Sequence, residues 1–240
     1  MDYPDIAGLL GLNRGRDERA RDILDSLLEG HHRRVLKSLI CDKAVLVFGC
    51  GPSLVEDIRK LKYSHIFDDT VVIAADGSVK ALLESRVPVH VNVTDLDGDI
   101  DAILKANRMG TLTVVHAHGD NIGLLGDVIP KLVGTVMGST QVEPTEKILN
   151  YGGFTDGDRA VRIALYYKPK LILLAGMDFG QRVGRYSGRY VLEKKLKKLA
   201  IGKRLIEEAA SKTSVPMYNL TSGGEDIRGV LRASLEDLPI

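Results

Sequence analysis

Beyond residue 43 the chain alternates short, almost unbroken apolar runs with stretches in which apolar and charged residues recur every three or four positions. The runs are KAVLVFG, TVVIAAD, VPVHVNVTD, TLTVVHAH, GTVM and PKLILLAGMD. Runs without polar alternation predict strands covered on both faces, hence a mostly parallel sheet. The stretches at 54–61, 79–84, 100–107, 122–129 and 159–167 have helical spacing. Together they predict an α/β fold, doubly wound, with helices on both faces. A further long helix is expected over 189–211, after the Gly- and Arg-rich segment QRVGRYSGR, which reads as a mobile loop. VPMYNLT then reads as a last short strand with a helical tail.

The first forty residues differ. Ile23, Leu24, Leu27, Leu28, Val35, Leu36, Leu39 and Ile40 recur at helical spacing among Arg, Asp and Glu, and Gly30 divides them into two helices. They carry no recognisable chemistry. Residues 1–42 are therefore expected to be a helical segment that packs on an α/β catalytic domain of residues 43–240 or on a second copy of the chain.

Composition narrows the function. In 240 residues, 33 Lys and Arg face 32 Asp and Glu, a net charge of +1, which leaves no excess to neutralise a nucleic-acid backbone. Aromatics at 5% and the absence of Trp argue against a base-stacking platform. No apolar run approaches the ~18 residues of a membrane span. The start, MDYPDIAGLL, lacks a basic stretch and reads as no secretory signal. Cys41 and Cys50 are too few for a disulfide framework or a four-cysteine zinc site, so reduced thiols in a cytoplasmic protein are expected.

In open α/β sheets, ligands bind beyond the carboxyl ends of the strands. Those ends here are rich in glycine and carboxylate: Gly49-Cys50-Gly51-Pro52-Ser53, Asp76-Gly77, Asp95-Leu96-Asp97-Gly98-Asp99, His116-Ala117-His118-Gly119-Asp120-Asn121 and Gly176-Met177-Asp178. GCGPS lets the backbone turn tightly before a helix whose free N–H groups favour phosphate or ribose, or else is a plain strand-to-helix turn. It is neither a dinucleotide fingerprint nor a P-loop. In an extended segment Asp95 and Asp97 point the same way, so both can face one Mg²⁺, while one of the three acids caps the next helix. Asp156, in FTDGDR, reads first as part of a helix cap and second as completing that metal site. His116 and His118 form an H-x-H pair for which zinc is the lesser reading and contact with nucleotide the greater. Lys194, Lys195, Lys197 and Lys198 read as a solvated helix face, whereas Arg182, Arg185 and Arg189 are better placed to meet a polyphosphate. Phe154 and Phe179 read as core, with ring stacking as the second choice.

The ordered set GCGPSL, AADGS, VTDLDGD, HAHGDN, GGFTDGDRA and GMDFG resembles the archaeal 6-hydroxymethyl-7,8-dihydropterin pyrophosphokinase family, from about residue 44 to residue 180 and on toward the end. AADG followed by TDLD also resembles the catalytic half of thiamine pyrophosphokinases, with Thr94 and Gly98 where that group has Gly and Ser. By this resemblance Asp76, Asp95, Asp97 and Asp156 would hold Mg²⁺ and ATP. The implied reaction transfers diphosphate from ATP to the hydroxymethyl group of the pterin and releases AMP, in tetrahydromethanopterin or folate-type biosynthesis. Asp95, Asp97 and Asp156 are then the expected catalytic and metal-binding residues. Gly49, Gly51, Ser53, Asp76, Gly77, His118, Asn121, Arg182 and Arg185 are the expected nucleotide contacts. The competing readings are a sialyltransferase-like glycosyltransferase, which GxGPSL also suggests, thiamine pyrophosphokinase, and a nucleotide sensor without turnover.

Overall fold

The computed structural model describes residues 3–188 and 190–239; Arg189, one of the arginines singled out above, lies outside them. Helices α1 (Tyr3–Leu10), α2 (Arg14–Leu27) and α3 (Arg33–Ile40) precede strand β1 (Ala44–Phe48). Helix α4 (Leu54–Lys62) and the short α5 (Ile66–Asp69) lead to β2 (Thr70–Ala75), α6 (Ser78–Glu84) to β3 (Val91–Thr94), and α7 (Ile100–Arg108) to β4 (Leu112–Ala117). Helix α8 (Ile122–Val128) leads to β5 (Val136–Thr140) and β6 (Ile148–Leu149). Helix α9 (Asp156–Tyr166) returns the chain to β7 (Leu171–Ala175), and α10 (Leu192–Ser211) precedes β8 (Met217–Asn219) and β9 (Leu231–Arg232).

The nine strands form one sheet in the order β6-β5-β4-β3-β2-β1-β7-β8-β9, and every pairing is parallel. The doubly wound expectation therefore holds. The chain builds outward from β1 to β6, then crosses back to lay β7 on the other side of β1. Strands β2 and β7 thus leave β1 in opposite directions, and a crevice opens over their carboxyl ends, where such sheets bind ligands.

Strand residues alternate between two cores. Leu46, Phe48, Val72 and Ala74 pack against α2, α4, α6, α7 and α8 through Leu24, Ile58, Leu82, Ile103 and Leu125. Val45, Val47, Ile73 and Val93 pack against α3, α9 and α10 through Leu36, Ile40, Val161, Ala164 and Ile206. Burial on both faces explains why these strands read as continuous apolar runs. The N-terminal helices supply residues to both cores. They are also pinned by Asp17, a buried carboxylate that accepts from the Tyr3 hydroxyl, from Gly119 N (2.6 Å) and from Gln141 Nε2 (2.9 Å).

The structure departs from the expected boundaries in a few places. Helix α9 starts at Asp156 and α10 at Leu192, and the expected helical tail is strand β9 followed by a single 3-10 turn at Leu235–Asp237. Strand β5 continues beyond GTVM through Gly138, where a Cβ would come within 2.8 Å of Ile148 and 2.9 Å of Leu28. Glycine there admits β6 and α2 at close range. Cys41 and Cys50 are free thiols, and among the described residues no helix is long and apolar enough to cross a membrane.

Candidate active site

A cavity of about 110 Å³, open to solvent, lies over the crevice between β1, β2 and β7. Of the residues singled out from sequence, Gly49, Gly51, Asp76, Asp95, Asp97, Asp156 and Arg182 line it; Ser53, Gly77, His118, Asn121 and Arg185 do not. Cys50, Phe154, Met177, Asp178, Phe179, Lys195, Lys198 and Leu199 also line it.

Three acids converge on one point. One carboxylate oxygen from each of Asp76, Asp95 and Asp156 lies within 4.8 Å of the others. Asp76 follows β2 with a left-handed backbone (φ +43°), a sparsely populated conformation for a residue with a Cβ. Its Oδ1 accepts from Thr94 Oγ1 at 2.6 Å, and a Cβ on Gly98 would lie 2.5 Å from its Oδ2. Thr94 and Gly98, the two departures from the thiamine pyrophosphokinase pattern, are thus the residues that seat this carboxylate. Asp95 follows β3; its Oδ2 meets His118 Nε2 at 3.2 Å, and its backbone oxygen accepts from Asn121 Nδ2 at 2.7 Å.

Asp156 opens α9, but the capping is done by others. Asp158 accepts from Phe154 N (2.7 Å), Thr155 N (2.8 Å) and Thr155 Oγ1 (2.7 Å). The Asp156 carboxylate is left to face Asp76 and Asp95, held by Arg159 Nη1 at 3.0 Å. The expected cap among the first acids is Asp99, whose Oδ1 accepts from Ala102 N at 2.9 Å.

The pair Asp95 and Asp97 is not presented by an extended strand. Leu96, buried, has φ +69°, so the segment turns, and Asp97 N donates back to Asp95 Oδ1 at 3.2 Å. Asp97 stands at the cavity mouth beside the three acids.

Packing like charges together has electrostatic consequences. Burial and the charge of Asp95 push Asp76 up to about 6. Asp97, open to solvent on one side and hemmed in by protein on the other, is pushed up to about 8 by that crowding and by Asp95 and Asp76. Burial and Asp95 raise Asp156 well above the usual carboxylate range, against the pull of Arg159. Burial also opposes ionisation of Asp95, but the hydrogen bond and charge of His118 hold it low. A cluster of hard oxygen donors whose repulsion is only partly offset fits a divalent cation. Asp76, Asp95 and Asp156 can hold a metal ion.

The GCGPS turn serves packing first. A Cβ on Gly49 would lie 2.7 Å from Gly176 O, and Gly51 N donates to Gly176 O at 2.7 Å, so the ends of β1 and β7 touch. Ahead of the helix whose free N–H groups were expected to favour an anion, Asp178 Oδ2 accepts from Ser53 N (3.1 Å) and Ser53 Oγ (2.7 Å). Ser53 also reaches Asp57 Oδ2 at 2.7 Å, so its hydroxyl points inward. Of the H-x-H pair, only His118 meets the acids; His116 is buried against Ser139 Oγ (3.1 Å) and Gln141. Asn121 spends its amide on His118 N, Asp95 O and His116 O, fastening the loop after β4. Arg185 lies over the Tyr186 ring, 4.7 Å from its centroid.

Residues 181–188 fold back over the rim. Ser187 Oγ donates to Cys50 O at 3.2 Å, and Gly184 and Gly77 sit where any Cβ would run into the Cys50 and Tyr186 carbonyls. Two lysines of α10, read from sequence only as part of a solvated helix face, also reach the site. Lys195 and Lys198 face the cavity, three residues apart on one side of the helix. That spacing was their only signal.

The chain is similar to known proteins. The chain is 37% identical over 229 residues to the 6-hydroxymethyl-7,8-dihydropterin pyrophosphokinase of Methanocaldococcus jannaschii, covering 89% of this chain and 95% of that protein. It is 40% identical over 217 residues to the pyrophosphokinase of the same name from Pyrococcus furiosus, covering 85% and 90%. Among solved structures, the MAf glycosyltransferase of Magnetospirillum magneticum AMB-1 aligns over 92% of this chain and 39% of its own, with a TM-score of 0.57 and 15% identity, a likeness of fold. The family described as 6-hydroxymethylpterin diphosphokinase MptE-like matches residues 20–184, and this chain belongs to it.

Proposed function

We propose that the chain is a 6-hydroxymethyl-7,8-dihydropterin pyrophosphokinase that uses Mg²⁺–ATP. The observation that carries this reading is the convergence of Asp76, Asp95 and Asp156 at the crevice of a parallel sheet, in a chain of this family. The pterin hydroxymethyl oxygen attacks the β-phosphorus of ATP. A new O–P bond forms, the bond from Pβ to the α-phosphate oxygen breaks, and AMP leaves. Such a transfer needs in-line positioning and neutralised phosphoryl oxygens more than covalent help. Asp76, Asp95 and Asp156 would hold Mg²⁺, which when bound supplies positive charge to the diphosphoryl oxygens. His118 orients Asp95, and Arg159 orients Asp156. Asp97, at the mouth and pushed up by its neighbours, is placed to add a ligand or to take the alcohol proton. Phe154, Met177, Phe179 and Leu199 offer apolar surface for a flat pterin ring.

The test is incubation with ATP, Mg²⁺ and 6-hydroxymethyl-7,8-dihydropterin, reading AMP. Stoichiometric AMP is the expected result. AMP with thiamine alone would move the substrate assignment, and stabilisation by CMP or CTP in preference to ATP would favour the glycosyltransferase reading.

A further inference from the structure

The cavity raises a question of charge. The loops after β2 and β3 and the start of α9 present Asp76, Asp95, Asp97 and Asp156, and a triphosphate is itself a polyanion. A metal ion can neutralise only the phosphate oxygens that touch it. In many α/β proteins the remaining oxygens sit on the helix N-terminus after β1. Here Asp178 stands at the edge of that seat, its Oδ2 accepting from both Ser53 N and Ser53 Oγ. A phosphate placed there would meet a carboxylate.

The positive charge on the cavity wall comes from another direction. Lys195 and Lys198 of α10, with Arg182 at the start of the 181–188 segment, are cations lining the cavity. Among the described residues none of the three makes an ion pair or a side-chain hydrogen bond; Lys198 rests over the Phe154 ring, 5.8 Å from its centroid. Other lysines of the same helix are committed: Lys197 to Glu193 at 2.7 Å and Lys203 to Glu225 at 2.7 Å. Helix α10 can bring its lysines this close because Gly202 packs against the first turn of α9, where a Cβ would lie 3.0 Å from Thr155 Oγ1.

We infer that Lys195 and Lys198, with Arg182, form the cradle that holds the triphosphate of the nucleotide against the acid cluster, in place of the helix N-terminus beside which Asp178 stands. This rests on the reading of the site as ATP-dependent. It sets the roles of the walls: the acids with their cation meet one side of the polyphosphate, and α10 meets the other.

The experiment compares Lys195→Gln and Lys198→Gln with Lys197→Gln, which carries the same charge change on the outer face of the helix. Calorimetric titration with a non-hydrolysable ATP analogue and with AMP, both with Mg²⁺, is paired with KM for ATP and for the pterin. The expected result is a loss of about tenfold or more in analogue affinity and a matching rise in KM for ATP for each wall lysine. AMP affinity, KM for the pterin and the Lys197→Gln protein should change less than about twofold. Unchanged analogue affinity in both wall variants, or an equal loss in Lys197→Gln, would overturn the cradle. If the wild-type protein bound the analogue but released no AMP from ATP in the presence of the pterin, the proposed reaction would fail while the titration still decided the cradle.

Discussion

At the scale of single residues, the site depends on a carboxylate kept in place by the absence of a side chain. Gly98 leaves room for Asp76, and Gly98→Ala should displace that carboxylate while leaving the cores intact. Turnover is expected to fall about 10²-fold with the melting temperature nearly unchanged, read by AMP release and thermal unfolding of one preparation. Asp95→Asn and Asp156→Asn should each lower turnover by about 10²–10³-fold, because each removes a charge from the converging set with little change in shape. The acids were legible as residue types at strand ends. Their grouping was not, because alternation along Asp95-Leu96-Asp97 assumes extended backbone, and Leu96 is left-handed. Nor could spacing show that Asp158, two residues on, takes over the cap and leaves Asp156 to the cluster.

At the scale of elements, short polar clamps fix strands and helices whose apolar faces would otherwise allow sliding. His90 Nδ1 accepts from Val72 N at 2.9 Å, tying the approach to β3 onto β2. Burial lowers its basicity below the ordinary value of 6.5. Between its lowered value and 6.5 the unfolded chain binds the proton more readily, so this contribution is present above 6.5 and is lost as the pH falls through the lowered value. Urea unfolding at about pH 7.5 and about pH 5 should show the wild type losing more stability than His90→Asn. Asp17 clamps α2 to the loop after β4. Asp17→Ala should cost about 2–3 kcal/mol, since it strands the buried Gly119 N–H and Gln141 amide, and chemical denaturation would show it. The longer strands were readable because burial on both faces makes their sequence continuously apolar. Strands β6 and β9, two residues each, are set by neighbouring chain and have no period to read. Helix α10 was readable as a helix but not as a cavity wall, since a lysine face looks the same whether it meets water or phosphate.

At the scale of the whole molecule, the mutual repulsion of the site acids makes a bound cation part of the fold's stability. A divalent ion at about a hundred times its dissociation constant should add about 2.7 kcal/mol, raising the melting temperature by several degrees. Chelation should reverse the shift, and Asp95→Asn should abolish it; an equal shift in that variant would remove Asp95 from the cation site. The strand order carries a separate consequence for how the chain is made. Strand β1 finds one neighbour in β2 within thirty residues or so of synthesis, but the other, β7, is paired only when Leu171–Ala175 have emerged. Until then a fully apolar strand, AVLVF, offers a bare hydrogen-bonding edge to whatever is nearby, and Gly49 and Gly51 have no carbonyls to lean on. Nascent chains halted before that point are therefore the species most prone to stick to one another, and chemical competence arrives late in translation, after the strand that closes the gap and the lysines of α10 that follow it.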